Sequence, residues 1–304
     1  MHKKVLVIID FSEKVGNGHK NRVNSILKKL NIEQLDVQKI LLDYTNKEIV
    51  INNLKETHFR KESYQLLLID SFILSDKEII FLSNFFKNVL VIDDWIGRKL
   101  IGNNIYILDW TAMAERSPIH LSQKNLKKFL GLEYCPIERK HSYKKTNDFL
   151  IHLGSNIKTS IYVDIIKYIS RKYSDKKINI IDKKIIKIKE MIPSSKNCEF
   201  LDYLNENEFK NYLLSSRFFI STGGWSCYQA ISLNCFPLLI SLNDSNTYFD
   251  CYGIVFGGYG KAFGFINEFD KLNIISKDLD FQNNYLTANK IGEKFLLLNK
   301  LLDK

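Results

Sequence analysis

Val15–Arg22, V-G-N-G-H-K-N-R, is the stretch from which the rest of the chain is read. It follows Lys3–Asp10 (K-K-V-L-V-I-I-D), an apolar run too short for a helix and of the kind found in a strand buried on both faces. Val23, Ile26, Leu27 and Leu30 then recur at helical spacing, so a helix begins near His19. Gly16 and Gly18 let the backbone turn tightly and come close to a ligand, with Asn17 between them. The first free N–H groups of the helix point beyond the strand end. His19 and Arg22 share one face of the first turn, which sets an imidazole and a guanidinium beside a helix end that favours anions. In open parallel α/β sheets ligands bind in that crevice, outside the carboxyl ends of the strands. A glycine turn with a capping histidine also occurs in βα units that bind nothing, so the remaining sequence has to decide.

Bulk properties narrow the field. A chain of 304 residues, 45% of them hydrophobic, can bury two cores, and two domains of about 150 residues are expected. No stretch approaches the roughly 18 to 20 apolar residues of a membrane span. The N-terminal apolar run ends at Asp10 and reads as a strand, so a cytoplasmic protein is expected. The formal charge of +10 admits a phosphate-rich partner. The lysines, however, are scattered in pairs such as Lys28-Lys29, Lys127-Lys128 and Lys176-Lys177, without interleaved aromatics, which fits a solvated surface and no nucleic acid. Cys135, Cys198, Cys227, Cys235 and Cys251 contain no C-x-x-C pair, so neither a zinc site nor a disulfide framework follows, and reduced, mostly buried thiols are expected.

The first half alternates strand and helix: strands at Leu35–Leu42, Tyr64–Asp70, Asn88–Asp93 and Ile105–Asp109, helices at Lys47–Glu56 and Lys77–Phe86. Such alternation predicts a parallel sheet with right-handed crossovers. Three strands end in carboxylates, Asp10, Asp70 and Asp93-Asp94. Adjacent residues at a strand end point different ways, so one of these is expected to hold a loop and at most one to face a ligand. A polar, irregular passage then runs to Lys145, with the charged segment Lys140–Asn147 as linker. Domains of residues 1–143 and 144–304 follow, the last helix being able to pack back on the first domain.

The second half repeats the pattern. Strands are predicted at Asp148–Leu153, Lys177–Ile181, Arg217–Ser221 and Phe236–Ser241, with Asn197–Leu201 between them. Helices are predicted at Ser160–Arg171, Ile185–Met191, Glu206–Leu214 and Trp225–Leu233. Asp148–Leu153 runs into Gly154-Ser155-Asn156. Ser221–Gln229, S-T-G-G-W-S-C-Y-Q, again joins strand to helix through glycines, where helix N–H groups and dipole suit a diphosphate. Two such halves, each with a glycine turn, make an interdomain cleft the expected binding site. Ile291, Phe295, Leu298 and Leu301 mark a closing amphipathic helix from Asn284 whose apolar face is core.

Taken in order, G-x-G-H-x-x-R at Gly16–Arg22, Asp70-Ser71-Phe72, Ile92-Asp93-Asp94-Trp95, Leu130–Lys140 (L-G-L-E-Y-C-P-I-E-R-K) and the Ser221–Gln229 loop resemble a known family. It is that of the hydrolases of pseudaminic acid biosynthesis that cleave UDP-2,4-diacetamido-2,4,6-trideoxy-β-L-altropyranose. The resemblance spans about Val5 to Leu242 and implies a GT-B-like α/β fold, two Rossmann-like doubly wound domains facing an interdomain cleft. It implies hydrolysis at the anomeric carbon by water, with release of UDP and with neither cofactor nor metal; a monomer is expected. His19 takes the place of the family's base, consistent with a helix N-terminus that favours neutral imidazole. Gly16, Asn17, Gly18, Arg22, Asp94 and Tyr134 are implied to meet the sugar, Arg22 either by orienting it or by bracing the loop. Gly154, Ser155, Asn156, Thr222, Gly223, Gly224, Trp225, Ser226 and Gln229 are implied to hold the nucleotide. Gln229 stands where the family carries Glu, and Asn243-Asp244-Ser245-Asn246 where it carries an Asn-Gln pair. A glycosyltransferase with the same architecture, or a nucleotide-binding protein without turnover, is the alternative.

Overall fold

The computed structural model describes residues 3–11, 18–30, 35–56, 64–94, 97–137, 144–154, 157–192, 196–202, 204–241, 245–265 and 291–303. The chain forms two compact units, one of Met1–Pro136 with Lys290–Lys304 and one of Ile137–Asn289.

The first unit is built on a six-stranded, wholly parallel sheet. Its strands are β1 (Lys3–Asp10), β2 (Leu35–Leu42), β3 (Leu66–Asp70), β4 (Val89–Ile92), β5 (Ile105–Asp109) and β6 (Lys127–Leu130), in the order β2-β1-β3-β4-β5-β6. Helices α1 (Gly18–Lys29), α2 (Lys47–Glu56) and α3 (Asp76–Ser83) make the crossovers. The strands are continuous apolar runs because both faces are covered. Leu6, Ile8, Leu67, Ile69, Val89, Val91, Ile105 and Ile107 pack with Ile51, Leu54, Ile79 and Leu82 of α2 and α3 on one face. Val5, Val7, Leu66, Leu68 and Leu90 on the alternate positions are buried as well. Ser75 caps α3 in a reciprocal capping box with Glu78, which fixes where the chain turns after β3. Between β1 and β3 the strand order reverses direction, the place where doubly wound sheets open a crevice at their carboxyl edge.

The second unit repeats the plan with the order β12-β11-β10-β7-β8-β9, also parallel throughout. Its strands are β7 (Asn147–Ile151), β8 (Ile178–Ile181), β9 (Cys198–Leu201), β10 (Ser216–Ser221), β11 (Phe236–Ser241) and β12 (Lys261–Phe265). Helices α5 (Thr159–Lys172), α6 (Ile185–Glu190), α7 (Glu206–Ser215), α8 (Trp225–Ser232) and α9 (Ser245–Phe256) connect them, a short α4 (Pro118–Ser122) having preceded β6 in the first unit. Tyr162, Ile165, Ile166 and Ile169 of α5 pack on Phe149, Ile151, Ile178, Ile180, Phe218 and Ile220. Here the order reverses between β7 and β10.

Three segments differ from the sequence reading. The passage after Ile105–Asp109 is not irregular: it holds β6, an edge strand in which Phe129 alone is well buried, so K-K-F-L carries no apolar run to betray it. Residues 245–265 form α9 and β12, where the reading assigned no element. S-N-T-Y-F-D-C-Y-G-I-V-F is rich in aromatic and β-branched residues and a glycine, weak helix formers that mask the period. The closing segment keeps its predicted core face, with Ile291, Phe295, Leu298 and Leu301 all buried. It is a 3₁₀ helix at Phe295–Asn299 followed by one turn, Lys300–Asp303, and the i, i+3 spacing of Phe295, Leu298 and Leu301 matches three residues per turn. The Asn88 amide donates to the Leu301 carbonyl at 2.7 Å and ties this segment to the base of β4. Its predicted start at Asn284 lies outside the described residues, as does the core of the Lys140–Asn147 linker. Among the described residues no helix is long and apolar enough to cross a membrane.

Candidate functional site

At the β1/β3 reversal four ionisable side chains converge. His19 and Arg22 project from the first turn of α1, and both are buried, at 5% and 7% exposure. Asp70, the last residue of β3, is fully buried and faces them. His19 Nδ1 lies 2.8 Å from Asp70 Oδ1, and Arg22 Nε donates to Asp70 Oδ2 at 2.6 Å. Arg22 Nη2 also donates to Asp70 Oδ1, and Nη1 to Asp94 Oδ2 just beyond β4. Two aromatic rings close the group. The edge of Phe72 meets the imidazole at a centroid distance of 4.6 Å, and the guanidinium carbon lies 5.8 Å from the ring centroids of both Phe72 and Trp110.

This geometry fixes the imidazole. Arg22 Nη2 is 3.0 Å from His19 Nδ1, but a guanidinium nitrogen only donates, so Nδ1 either donates to Asp70 or accepts from Arg22. Nη2 has a second N–H besides the one on Asp70 Oδ1, so the carboxylate decides: an ionised Asp70 2.8 Å from the ring needs a donor there and draws the Nδ1 proton. Nε2 then carries the lone pair, and it has no hydrogen bond to a described residue. Burial alone would raise the Asp70 carboxyl, but the Arg22 guanidinium and the bonds from Arg22 and His19 outweigh it and hold Asp70 below the usual carboxylate range. Burial likewise works against the Arg22 charge, and Asp70 and Asp94 overcome it, so the guanidinium is held more firmly charged than usual.

The other strand-end carboxylates divide the work differently. Asp10 Oδ2 accepts the N–H groups of Phe72 and Ile73, the latter at 3.2 Å, and so shapes the loop after β3; burial raises its carboxyl despite these bonds. Asp93 accepts from the backbone of Arg98 at 2.6 Å and Gly97 at 3.1 Å, and burial raises it too, helped by Asp109. Asp109 binds His120 Nε2 at 2.8 Å. Asp94 differs from its neighbour as the alternation of a strand end requires: it turns to Arg22 while Asp93 turns to the loop. Burial pushes the Asp94 carboxyl up to about 7, with Asp70 and Asp109 adding to the rise and Arg22 opposing it. Its Oδ1 is buried and has no hydrogen-bond partner.

Sequence reasoning singled out His19, Arg22 and Asp94, and these the structure brings together. Asp70 stands in the sequence as a strand-end carboxylate and in the Asp70-Ser71-Phe72 motif, with no role of its own assigned. The signal that joins Asp70 to His19 is register: Ile9 pairs with Asp70 across β1 and β3, so the end of β3 lies level with the end of β1. Gly18 opens α1 and has open space where a Cβ would stand, while Gly16 and Asn17 lie outside the described residues. Tyr134 is not part of this cluster. It follows β6, four strand spacings or about 19 Å from β1. There it packs on Phe129 at 5.4 Å, and burial with the nearby Glu133 raises its phenol.

The second unit offers two glycine turns at its own reversal point. Gly154 follows β7 with φ +94°, and Gly223 and Gly224 follow β10 with φ +101° and +81°, backbone that only glycine adopts without strain. The Thr222 hydroxyl donates to the Leu153 carbonyl at 2.9 Å and links the two turns. Trp225 and Ser226, both half-buried, open α8, and Gln229 one turn on is buried. Ser155 and Asn156 lie outside the described residues. A residue the sequence did not flag enters here. Asp250 of α9 accepts the Gly224 N–H on Oδ2 and the Tyr228 hydroxyl on Oδ1 at 2.6 Å, so a carboxylate already sits on the N–H of the turn's second glycine. All five cysteines are thiols outside any disulfide, and burial raises Cys227 well above its usual range and Cys235 up to about 12, so that both stay protonated. Among the described residues no group of three or more His, Cys, Asp or Glu side chains is arranged to hold a metal ion.

No protein-family model matches the sequence, and no curated protein is similar enough to count as a relative. Solved structures are informative. The S. aureus MnaA–UDP co-structure superposes with a TM-score of 0.65 at 15% identity, covering 97% of this chain and 94% of that one. Arabidopsis thaliana UGT89C1 complexed with UDP gives 0.64 at 8% identity over 99% and 100% of the two chains. Methanocaldococcus jannaschii UDP-GlcNAc 2-epimerase in complex with UDP-GlcNAc and UDP gives 0.59 at 14% identity over 99% of each. At such identities the likeness is one of fold, and over nearly its whole length this chain has the fold of these proteins, the GT-B-like pairing of two Rossmann-like α/β units.

Proposed function

We propose that this chain is an enzyme acting on a UDP-sugar, and specifically a hydrolase. Water attacks C1 of a UDP-activated diacetamido-trideoxy hexose, the C1–O bond breaks, and UDP leaves, as in the formation of pseudaminic acid. Structural neighbours that carry UDP or UDP-GlcNAc support the wider reading. The observation that carries the narrower one is the His19–Asp70 pair at the β1/β3 reversal. A buried carboxylate orients the ring through Nδ1 and leaves Nε2 as a base for a water. Arg22, its donors engaged by Asp70 and Asp94, braces this pair, and Gly18 and Asp94 meet the sugar. Gly154, Thr222, Gly223, Trp225 and Ser226 take the diphosphate, joined by Gly224 when Asp250 releases its N–H, and Gln229 takes a ribose hydroxyl.

The test is to follow UDP and free sugar from UDP-2,4-diacetamido-2,4,6-trideoxy-β-L-altropyranose with wild type and His19→Ala side by side. Positioned general-base catalysis is worth about 10²–10⁴ in rate, and the variant is expected to lose that much in kcat. Equal turnover by both proteins refutes the role of His19. Likeness to a glycosyltransferase of kitacinnamycin, with a TM-score of 0.60, favours transfer to an acceptor as the second reading. That reading predicts turnover only once an acceptor is added.

A further inference from the structure

We propose that Asp94 is the acid of this reaction: it carries one proton in the resting protein and gives it to the departing phosphate oxygen. The inference rests on the reading that the chain cleaves a sugar–phosphate bond. Its basis is the charge of the cluster. Asp70, Asp94 and His19 share a single guanidinium, and all four side chains are buried or nearly so. One Arg balances one carboxylate. A second ionised carboxylate in the same place would leave a buried net charge, which proteins avoid by taking up a proton.

The hydrogen bonds say which group takes it. Asp70 is the better-held carboxylate, with Nε and Nη2 of Arg22 and the His19 ring on its two oxygens. Asp94 has one donor, Arg22 Nη1 on Oδ2, and its Oδ1 is buried without a partner. With a single donor, Asp94 is the less stabilised of the two as an anion and so the one that takes up the proton. The ionisable groups that face Asp94 are Arg22 and His19 from α1, Asp70 from β3 and Asp109 from β5. Two are carboxylates, and the upward displacement of Asp94 agrees with the geometry.

The step balances. His19 Nε2 takes a proton from the water whose oxygen bonds to C1. The electron pair of the C1–O bond goes to the β-phosphate oxygen, and the Asp94 proton joins it. The products are the free sugar and UDP, with His19 protonated and Asp94 ionised on either side of Arg22. Transfer of one proton from His19 to Asp94 through water restores the resting state.

Two measurements test this. The first needs no substrate: aspartate labelled with ¹³C at the carboxyl is followed by NMR from pH 4 to 9, Asp94→Asn supplying the assignment. The Asp94 carboxyl is expected to titrate near pH 7. Titration near pH 4 overturns the proposal. The second is the pH profile of kcat for UDP release. Wild type is expected to lose activity at high pH as Asp94 ionises. Asp94→Asn should fall about 10²–10⁴-fold in kcat with little change in KM and lose that limb, and Asp94→Glu should regain part of both. A variant that keeps full kcat and the alkaline limb overturns the proposal. If wild type releases no UDP, the hydrolase reading fails and the acid role with it, while the titration still decides where the proton rests.

Discussion

Asp70→Asn probes the cluster most directly. Asp70 is fully buried and receives the His19 ring and two donors of Arg22, so the amide removes the one charge that balances the guanidinium at close range. Breaking a buried ion pair by removing one partner costs about 3–5 kcal/mol. Asp94 remains within reach of Arg22 and can ionise to compensate, so the lower end, about 3 kcal/mol, is expected. For a unit of this size that is a fall in Tm of roughly 6–12 °C. Activity should drop further than stability suggests. An amide can present N–H as well as C=O to Nδ1, so the ring loses the carboxylate that fixes its tautomer, and kcat should fall by about 10²–10³. Differential scanning calorimetry and UDP release at 25 °C, where the variant stays folded, give both numbers. A variant with wild-type Tm, or one that keeps wild-type kcat, refutes the claim that Asp70 holds and orients His19.

Two further outcomes follow from the same geometry. Asp94 is held up to about 7 in the fold against an ordinary 3.8, so the folded protein binds more protons than the unfolded chain between those values, and stability falls as pH rises from about 4 to 7. Asp94→Asn should flatten that part of the Tm-against-pH curve, and an unchanged slope would mean that Asp94 is ionised throughout. In the second unit, a Cβ at Gly223 would meet Asp250 Oδ2 at 3.0 Å on backbone with φ +101°. Gly223→Ala should destabilise that unit by about 1–2 kcal/mol and abolish thermal protection by UDP, so protection equal to wild type would separate this turn from nucleotide binding.

Much of the fold is legible in the sequence because buried parallel strands leave an unbroken apolar run that few other structures require. K-K-V-L-V-I-I-D, L-L-L-I-D and F-F-I-S announce their strands, and the glycine turns that follow announce the helices. Edge strand β6 and the pair α9 and β12 were not legible, since one-sided burial and weak helix formers remove the period. At the site, sequence spacing put His19 and Arg22 on one helical face, a local matter that needs no tertiary contact. It also showed that Asp93 and Asp94 must diverge.

What only the tertiary structure decided is partnership. Asp70 lies 51 positions from His19, and nothing in their spacing joins them. The parallel pairing of β1 with β3, and the reversal of strand order between them, bring the two strand ends level and set the His19 ring of α1 against a buried carboxylate. The same holds for Asp250, whose carboxylate reaches the Gly224 N–H from a helix the sequence does not reveal. Local chemistry sets which groups a turn presents, but burial and register set their protonation, because only packing removes the water that would otherwise screen one charge from the next.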